Sequence, residues 1–344
     1  MSYIFKEIDA ATIKPFFDSH EQGSFAQSVE MANVRSDAGR TIHYVAVFEG
    51  DVIVAGAQLS LIAGKFPSAD ITAGPLLDFS NTELLTFFTE NIKSFLAGKN
   101  CVYLTINPNI RYSETILKSL KRLGWQHSGR INASEVGIRG GIRWIYVKDL
   151  TGLNEENYQT TYAKRHRRYI RNHDPNLVLR KLNRDELSLF TNIMRHTAER
   201  RQFVSRKDSY FESLYDRFGD NVTFKIVELN QDGKVIPIAA IAFIETNGEV
   251  ISYLGGALSE YARYRASYLL HDDMIHHSVN KGYKRYNFYG IEGDIENTSS
   301  EGYGIYEFKA KFGTGEAIEL IGEFVLPIKK AQYSLFKLAR KIKK

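Results

Sequence analysis

The stretches EGDVIVAGAQLSLI (residues 49–62) and QDGKVIPIAAIAFI (residues 231–244) decide how this chain folds. In each, a glycine turn leads into Val-Ile and then into a strand of small apolar residues. Each follows a β-branched run, HYVAVF (43–48) or VTFKIVEL (222–229), so both pairs read as hairpins. The parallel continues outward. After the first hairpin come a strand near DITAGPLLDF (70–79) and a helix, TELLTFFTENIKSFLAG (82–98), whose Leu84, Leu85, Phe88, Ile92, Phe95 and Leu96 keep 3–4 spacing. A buried strand CVYLTINP (101–108) and a helix ending LKSLKRLGWQ (117–126) complete that copy. The second copy runs EVISYLGGAL (249–258), helix ASYLLHDDMIHHSVNKG (266–282), strand RYNFYGIEG (285–293) and IYEFKAKFG (305–313). One matching hairpin arises easily by chance, whereas five elements in the same order do not. The expected fold class is therefore α/β in the mixed-sheet, α+β sense, as two tandem copies. No low-complexity linker divides them, so the copies should pack around a cleft.

The length of 344 residues suits two domains, and 43% hydrophobic with 25% charged residues is the balance of a soluble protein with a real core. A lone cysteine, Cys101, excludes an internal disulfide and fits a reducing compartment. The N-terminal MSYIFKEIDAATIKPFF has acids and no long apolar run, and no stretch reaches the ~18 apolar residues of a membrane span. The expected location is cytoplasmic.

The formal charge of +5 is local. Residues 329–344, KKAQYSLFKLARKIKK, hold seven Lys or Arg and no acid, which leaves 5 − 7 = −2 for the rest. Leu335, Leu338, Ala339 and Ile342 share a helical face in this tail. It reads either as a helix lying on an anionic membrane surface or as a packed terminal helix with a solvated basic face. Between the copies, a helix from about Thr161 to before Pro175 carries Lys164, Arg165, Arg167 and Arg168 in its first turns, against the macrodipole. RNA phosphate would relieve that placement; a merely solvated face is the alternative. The histidines, including His271 and the pair in HHSVNKGY (276–283), have no ligand-spaced companions, so no metal is expected.

RYNFYGIEGD, then GIYEFKAKFG, then ELIGEFVLPI closely resembles the end of the Fem family of peptidoglycan bridge-forming aminoacyltransferases. That family's pattern there is a strand, a Tyr/Gly-rich turn, F-K-x-x-F-G, and an I/V-G-x-F-x-x-P-I strand. GPLLD (74–78), INP (106–108), RRYIRN (167–172), TAERRQF (197–203) and SYLGGALSEYARYRASYLLHDDMI (252–275) extend the resemblance over nearly the whole chain. It implies two GNAT-like domains, residues 1–148 completed by 320–344, and 149–319. Residues 200–222 pass from helix to strand without heptads, so the compact form without a coiled-coil arm is expected.

The resemblance implies transfer of an amino acid from aminoacyl-tRNA, as co-substrate without further cofactor, to the stem-peptide side-chain amine of UDP-MurNAc-pentapeptide or lipid II. Such an amine, with a pKa of about 10.4, must lose a proton, and the developing oxyanion needs stabilising. An activated ester needs no enzyme nucleophile, and none stands out; positioning alone contributes about 7–11 kcal/mol. The resemblance points to Lys309, beside Phe308, as the cation near the ester. On spacing alone, Ile305, Phe308 and Phe312 form a core stripe and Lys309 is solvated. Asn107 stands where compact relatives can carry an acid; it either binds substrate or caps its turn. Arg206 and Tyr210 match residues that bind phosphate and nucleotide or sugar, with an Arg206–Asp208 surface ion pair as the alternative. Arg35 stands near the place of a phosphate-binding lysine, and Tyr253 matches a tyrosine-rich strand. The competing function is a GNAT-type acyltransferase using acyl-CoA, against which EYARYRASYLL (260–270) and DFSNTELL (78–85) lack the pyrophosphate-gripping glycines.

Overall fold

A computed structural model of the chain describes residues 2–128, 142–202, 204–291, 294–300 and 302–342. Phe203, Glu292 and Gly293 of the aromatic turn, the side chain of Ile342, and the terminal Lys343 and Lys344 lie outside the described residues. The first stretch runs β1 (Tyr3–Ile8), α1 (Ala10–Ser19), α2 (Val29–Asp37), β2 (Thr41–Glu49), β3 (Val52–Ile62), β4 (Ser68–Thr72), β5 (Leu76–Leu77), α3 (Thr82–Gly98), β6 (Tyr103–Asn107), α4 (Glu114–Arg122) and β7 (Gln126–His127). There follow β8 (Trp144–Asp149), α5 (Lys164–Arg171), β9 (Leu177–Lys181), α6 (Leu187–Arg201), α7 (Asp208–Phe218), β10 (Val222–Gln231), β11 (Lys234–Thr246) and β12 (Glu249–Ala257). The chain ends with α8 (Ala266–Asn280), β13 (Arg285–Ile291), α9 (Tyr303–Ala310), β14 (Gly315–Glu319), β15 (Phe324–Pro327) and α10 (Lys330–Ile342).

Two compact units result, Met1–Ile131 with Glu319–Lys344, and Asn132–Ile318. The first sheet is ordered β1-β2-β3-β4-β6-β15-β7, with β5 added to β3. The second, read from its far edge, is β9-β10-β11-β12-β13-β8-β14. Place by place these are one plan. Both predicted hairpins sit at matching positions, and each sheet has its parallel pair at the same place, β4 with β6 and β12 with β13. The sixth place is filled from elsewhere in the chain: β15 returns to the first sheet, and β8 leads into the second.

Three expectations change. Trp144–Asp149 belongs to the second sheet, so the boundary precedes β8 and does not follow residue 148. The chain between α6 and β10 is not a direct passage, because α7 lies in it; residues 202–207 join the two helices and leave no long arm there. The basic helix expected between the copies lies within the second unit and begins at Lys164, after a tight 3-10 turn at Tyr158–Thr161. The helix over Thr82–Gly98 forms as its spacing demands, with the Asn81 side chain accepting from the Leu84 N–H at 3.0 Å. Among the described residues no helix is long and apolar enough to cross a membrane.

The motif FKAKFG acts as a lock within the second unit. Phe308 packs edge-on against Tyr268 at 4.9 Å and Phe312 at 5.3 Å, and Phe312 meets Phe288 at 5.2 Å. Gly313, at φ +88, brings its backbone against Thr161, so closely that a Cβ would stand 1.9 Å from the Thr161 carbonyl oxygen. Beside it Lys148, fully buried, donates to Thr161 Oγ1 at 2.8 Å, the Phe312 carbonyl at 2.9 Å and Thr314 Oγ1 at 3.2 Å. All three ammonium hydrogens thus have acceptors, as a buried cation requires.

His166 and His271 are buried in this aromatic core. Burial pushes His166 down to about 4 and His271 to about 3, the latter helped by the nearby Lys309 charge. His166 Nε2 lies 3.2 Å from the Phe308 carbonyl, and its buried Nδ1 has no partner for a second proton.

Two outcomes follow. Gly313→Ala should lower unfolding stability by more than about 3 kcal/mol or prevent folding, because both the space and the backbone conformation are denied. Gly304→Ala, within α9 and with nothing within 4 Å of its Cβ, should gain about 0.5–1 kcal/mol in the same denaturant titration. For each histidine the unfolded chain, with a pKa near 6.5, binds the proton more readily. Stability should therefore fall from pH 6.5 downward, by about 2 kcal/mol per group at pH 5. Urea melts of a His166→Gln/His271→Gln variant should show that slope largely removed.

Candidate functional site

β12 and β13 pair in parallel over Glu249–Ile251 and Arg285–Asn287 and no further, although both strands continue. Each strand shifts register against its other neighbour at this point, β12 against β11 between Ala242 and Phe243, and β13 against β8 between Asn287 and Gly290. The strands therefore part, and their C-terminal halves present Tyr253 and Tyr289 side by side, ring centroids 5.9 Å apart. The ends of parallel strands are where α/β sheets open to ligands.

Tyr289 adopts φ +60, a conformation that costs a bulky residue about 1–3 kcal/mol. Two groups hold it. The Asn287 Oδ1 accepts its N–H at 2.8 Å, and the Lys309 ammonium donates to the carbonyls of Phe288 at 2.8 Å, Tyr289 at 3.3 Å and Gly290. Lys309 is only 8% exposed, so these bonds form away from bulk water.

Arg206 and Tyr210 arrive from the segment that opens α7, one helical turn apart. The Tyr210 hydroxyl lies 2.6 Å from that of Tyr253, and the Arg206 guanidinium stands 4.2 Å above the Tyr210 ring. Burial works against the Arg206 charge, but the hydroxyls of Tyr253, Tyr210 and Tyr289 outweigh it and hold its pKa above the usual arginine value. Its guanidinium has no hydrogen-bond acceptor or carboxylate partner among the described residues. Asp208, the alternative partner, is paired with Arg195 Nη2 at 3.7 Å. A half-buried, unmatched fork framed by three tyrosines is an arrangement for an incoming anion.

The structure thus brings together Arg206, Tyr210 and Tyr253, adds Tyr289, and ties Lys309 to them through the β13 carbonyls. Lys309 is not solvated as spacing suggests. Phe308 lies behind this site in the aromatic core, where its ring meets His166, Tyr268 and His271. On α5, Lys164, Arg165 and Arg168 are exposed and Arg167 half-buried, while His166 and Ile170 fix the inner face. Arg165 and Arg168, with Arg265 from before α8, gather around the Tyr169 ring at 5.3, 5.7 and 3.6 Å.

Asn107 and Arg35 belong to the first unit and to a buried polar network there. The Asn107 Oδ1 accepts the Ala73 N–H at 3.0 Å, so it bonds the turn that follows β4 and not its own. Arg35 Nη1 donates to the Ala26 carbonyl at 2.8 Å and to Gln58 Oε1 at 2.7 Å. The fully buried Gln27 joins them, donating to the Thr72 carbonyl at 2.8 Å and accepting from the Gln58 N–H at 2.8 Å. Sequence reasoning missed Gln27, Gln58 and Tyr289. Their only signal is polar residues inside otherwise apolar strands and a tyrosine before a glycine. Among the described residues no cluster of metal-ligating side chains occurs.

The chain is 25% identical to "Aminoacyltransferase FemB" of Staphylococcus epidermidis, over 98% of this chain and 97% of that protein. It is 23% identical to "Aminoacyltransferase FemA" of the same species, over 99% and 100%. A crystal structure of FemX superposes with a TM-score of 0.81 at 19% identity, covering 97% of this chain and 99% of that one. A tandem GNAT protein from the clavulanic acid biosynthesis pathway superposes at 0.58 and 10% identity, over 95% and 99%. The fold is that of tandem GNAT units. The FemAB family profile matches residues 8–232 and 229–341, and the chain belongs to the FemAB family.

Proposed function

We propose that this protein is an aminoacyltransferase that moves an amino acid from aminoacyl-tRNA to the stem-peptide side-chain amine of a peptidoglycan precursor. The observation that carries the reading is Arg206, a guanidinium without an acceptor among the described residues at the open end of a parallel strand pair. The names of the staphylococcal relatives supply the reaction class. Arg206 takes the precursor's diphosphate as a two-pronged donor, and Tyr210, Tyr253 and Tyr289 line the nucleotide or sugar beside it. Lys309 is a positioning residue: its charge, fixed on three carbonyls, holds the bulge that aims Tyr289. The exposed cations of α5 meet RNA phosphate, giving affinity without sequence readout. In the first unit, Arg35 holds Gln58 beside Gln27, and Asn107 at the end of β6 holds the Ala73 turn.

The bond that breaks is the ester between the amino acid and the tRNA ribose, and the bond that forms is an amide. The acceptor ammonium gives up one proton beforehand, and the ribose oxygen gains one on leaving. No protein-bound intermediate is required, so orientation and fixed charge supply the rate.

Incubating the protein with charged tRNAs and either UDP-MurNAc-pentapeptide or its lipid-linked form should add one amino acid residue to the precursor's mass. No gain with any charged tRNA on either acceptor would end the proposal. Sub-millimolar binding of acetyl-CoA in titration calorimetry would favour the acyl-CoA alternative. Arg206→Ala should raise KM for the precursor about 10- to 100-fold, the worth of one or two charge-assisted hydrogen bonds, and leave the unfolding midpoint unchanged. Lys309→Met should act differently. It strands three buried carbonyls, costing about 2–4 kcal/mol of stability, and lowers kcat more than it raises KM.

A further inference from the structure

The terminal helix α10 is apolar on two opposite sides. On one, Tyr333 is buried and stacks on Phe336, and both rings pack on Tyr103 at 5.4 and 4.8 Å. Phe336 also meets Phe66 at 5.6 Å, and just before the helix the Lys329 ammonium donates to Asn100 Oδ1 at 3.0 Å. Because β15, directly upstream, is paired within the first sheet, the helix is held firmly by its own unit.

The other side has no such cover. At 100° per residue, Leu335 and Leu338 fall opposite the Tyr333 face, and they are 58% and 57% exposed. Ala331, also exposed, continues the stripe, and Ile342 extends it by sequence spacing. Lys330, Lys337 and Arg340 are exposed as well, but on the side of the packed rings, Lys337 5.0 Å from the Tyr333 ring centroid and Arg340 5.8 Å from that of Phe336. No acid occurs from Lys329 to Lys344, while the rest of the chain sums to −2 by the arithmetic above. A helix that only had to cover the first unit would place polar residues at 335 and 338.

We propose that α10 lies in the interface of an anionic membrane, with Leu335 and Leu338 at the acyl boundary and the acid-free, seven-cation segment 329–344 drawn to the surface by the anionic headgroups. Two observations favour this occupant over others. A second copy would bring an identical, purely basic helix against the stripe, and the like charges would oppose pairing. An RNA strand would be met by exposed rings, yet here the exposed residues are leucines and the rings Tyr333 and Phe336 are spent on packing. The proposal stands apart from the transferase reading, since its test needs no chemistry.

The full-length protein should sediment with vesicles containing about a third phosphatidylglycerol at least tenfold more tightly than with pure phosphatidylcholine, and less tightly as salt rises. Leu335→Ser/Leu338→Ser, at exposed positions, should fold normally and lose about tenfold or more of this binding, and Leu335→Phe/Leu338→Phe should restore it. Equal binding by the serine variant, or no binding by the unaltered protein, would overturn the proposal. So would a doubled solution mass that the serine variant abolishes, which would assign the stripe to a second copy.

Discussion

Three hydrogen bonds from one buried ammonium organise the second unit. Lys309 is placed by α9 under the point where β13 leaves its parallel partner, and it gathers the carbonyls of Phe288, Tyr289 and Gly290. A carbonyl left unpaired in that position would cost about 1–3 kcal/mol, and an unpaired buried ammonium more. Each therefore demands the other, and the demand fixes a backbone conformation that Tyr289 would otherwise avoid. The neighbouring Lys148 makes the same kind of bargain with Thr161, Phe312 and Thr314. Two buried lysines, each with three acceptors, tie α9 and the following turn to the sheet, with Gly313 admitting the Thr161 backbone between them. That is why a short stretch holds so many lysines, glycines and aromatic rings.

The same plan in the first unit reaches a different solution, built on amides and one guanidinium. There the parallel pair β4 and β6 stays in register to Thr72 and Asn107, and the amide of Asn107 caps the turn at Ala73. Gln27 bonds the Thr72 carbonyl and the Gln58 backbone, and Arg35 bonds the Ala26 carbonyl and Gln58 Oε1, beside an ordered strand end. In the second unit the strands part early, and the groups at the opening are hydroxyls and a guanidinium. Duplication thus supplied two frames, and the register shifts of β12 and β13 made one of them into an opening.

What could be read in advance follows the range of the forces involved. Hairpins and the amphipathic α3 are set by neighbours two to four residues apart, so the repeat was legible in the sequence. Arg206, Tyr210 and Tyr253 were found through family resemblance, not spacing, and the structure puts the Tyr210 and Tyr253 hydroxyls in contact. The place of β8 was not legible, because its partners β13 and β14 lie far along the chain and its apolar run fits either sheet. Lys309 escaped the reading from spacing. Its helical position gave a flanking stripe of aromatics, but its fate depends on a bulge in a strand some twenty residues away.

Arg206 and Lys309 show why charge alone does not identify a binding group. Both are largely withdrawn from water, and both could be named as cations for an anionic substrate. Lys309 already has backbone acceptors for its hydrogens, so a ligand oxygen would have to displace one of them. Among the described residues Arg206 has ring faces and tyrosine hydroxyls around it, and its planar donors have no acceptor there. The three tyrosine hydroxyls offset the burial of its charge, but ring faces accept no N–H, so the planar fork stays available to an anion. The distinction between a cation that holds the fold and one that waits for a ligand therefore lies in the count of satisfied donors, a quantity set by tertiary structure.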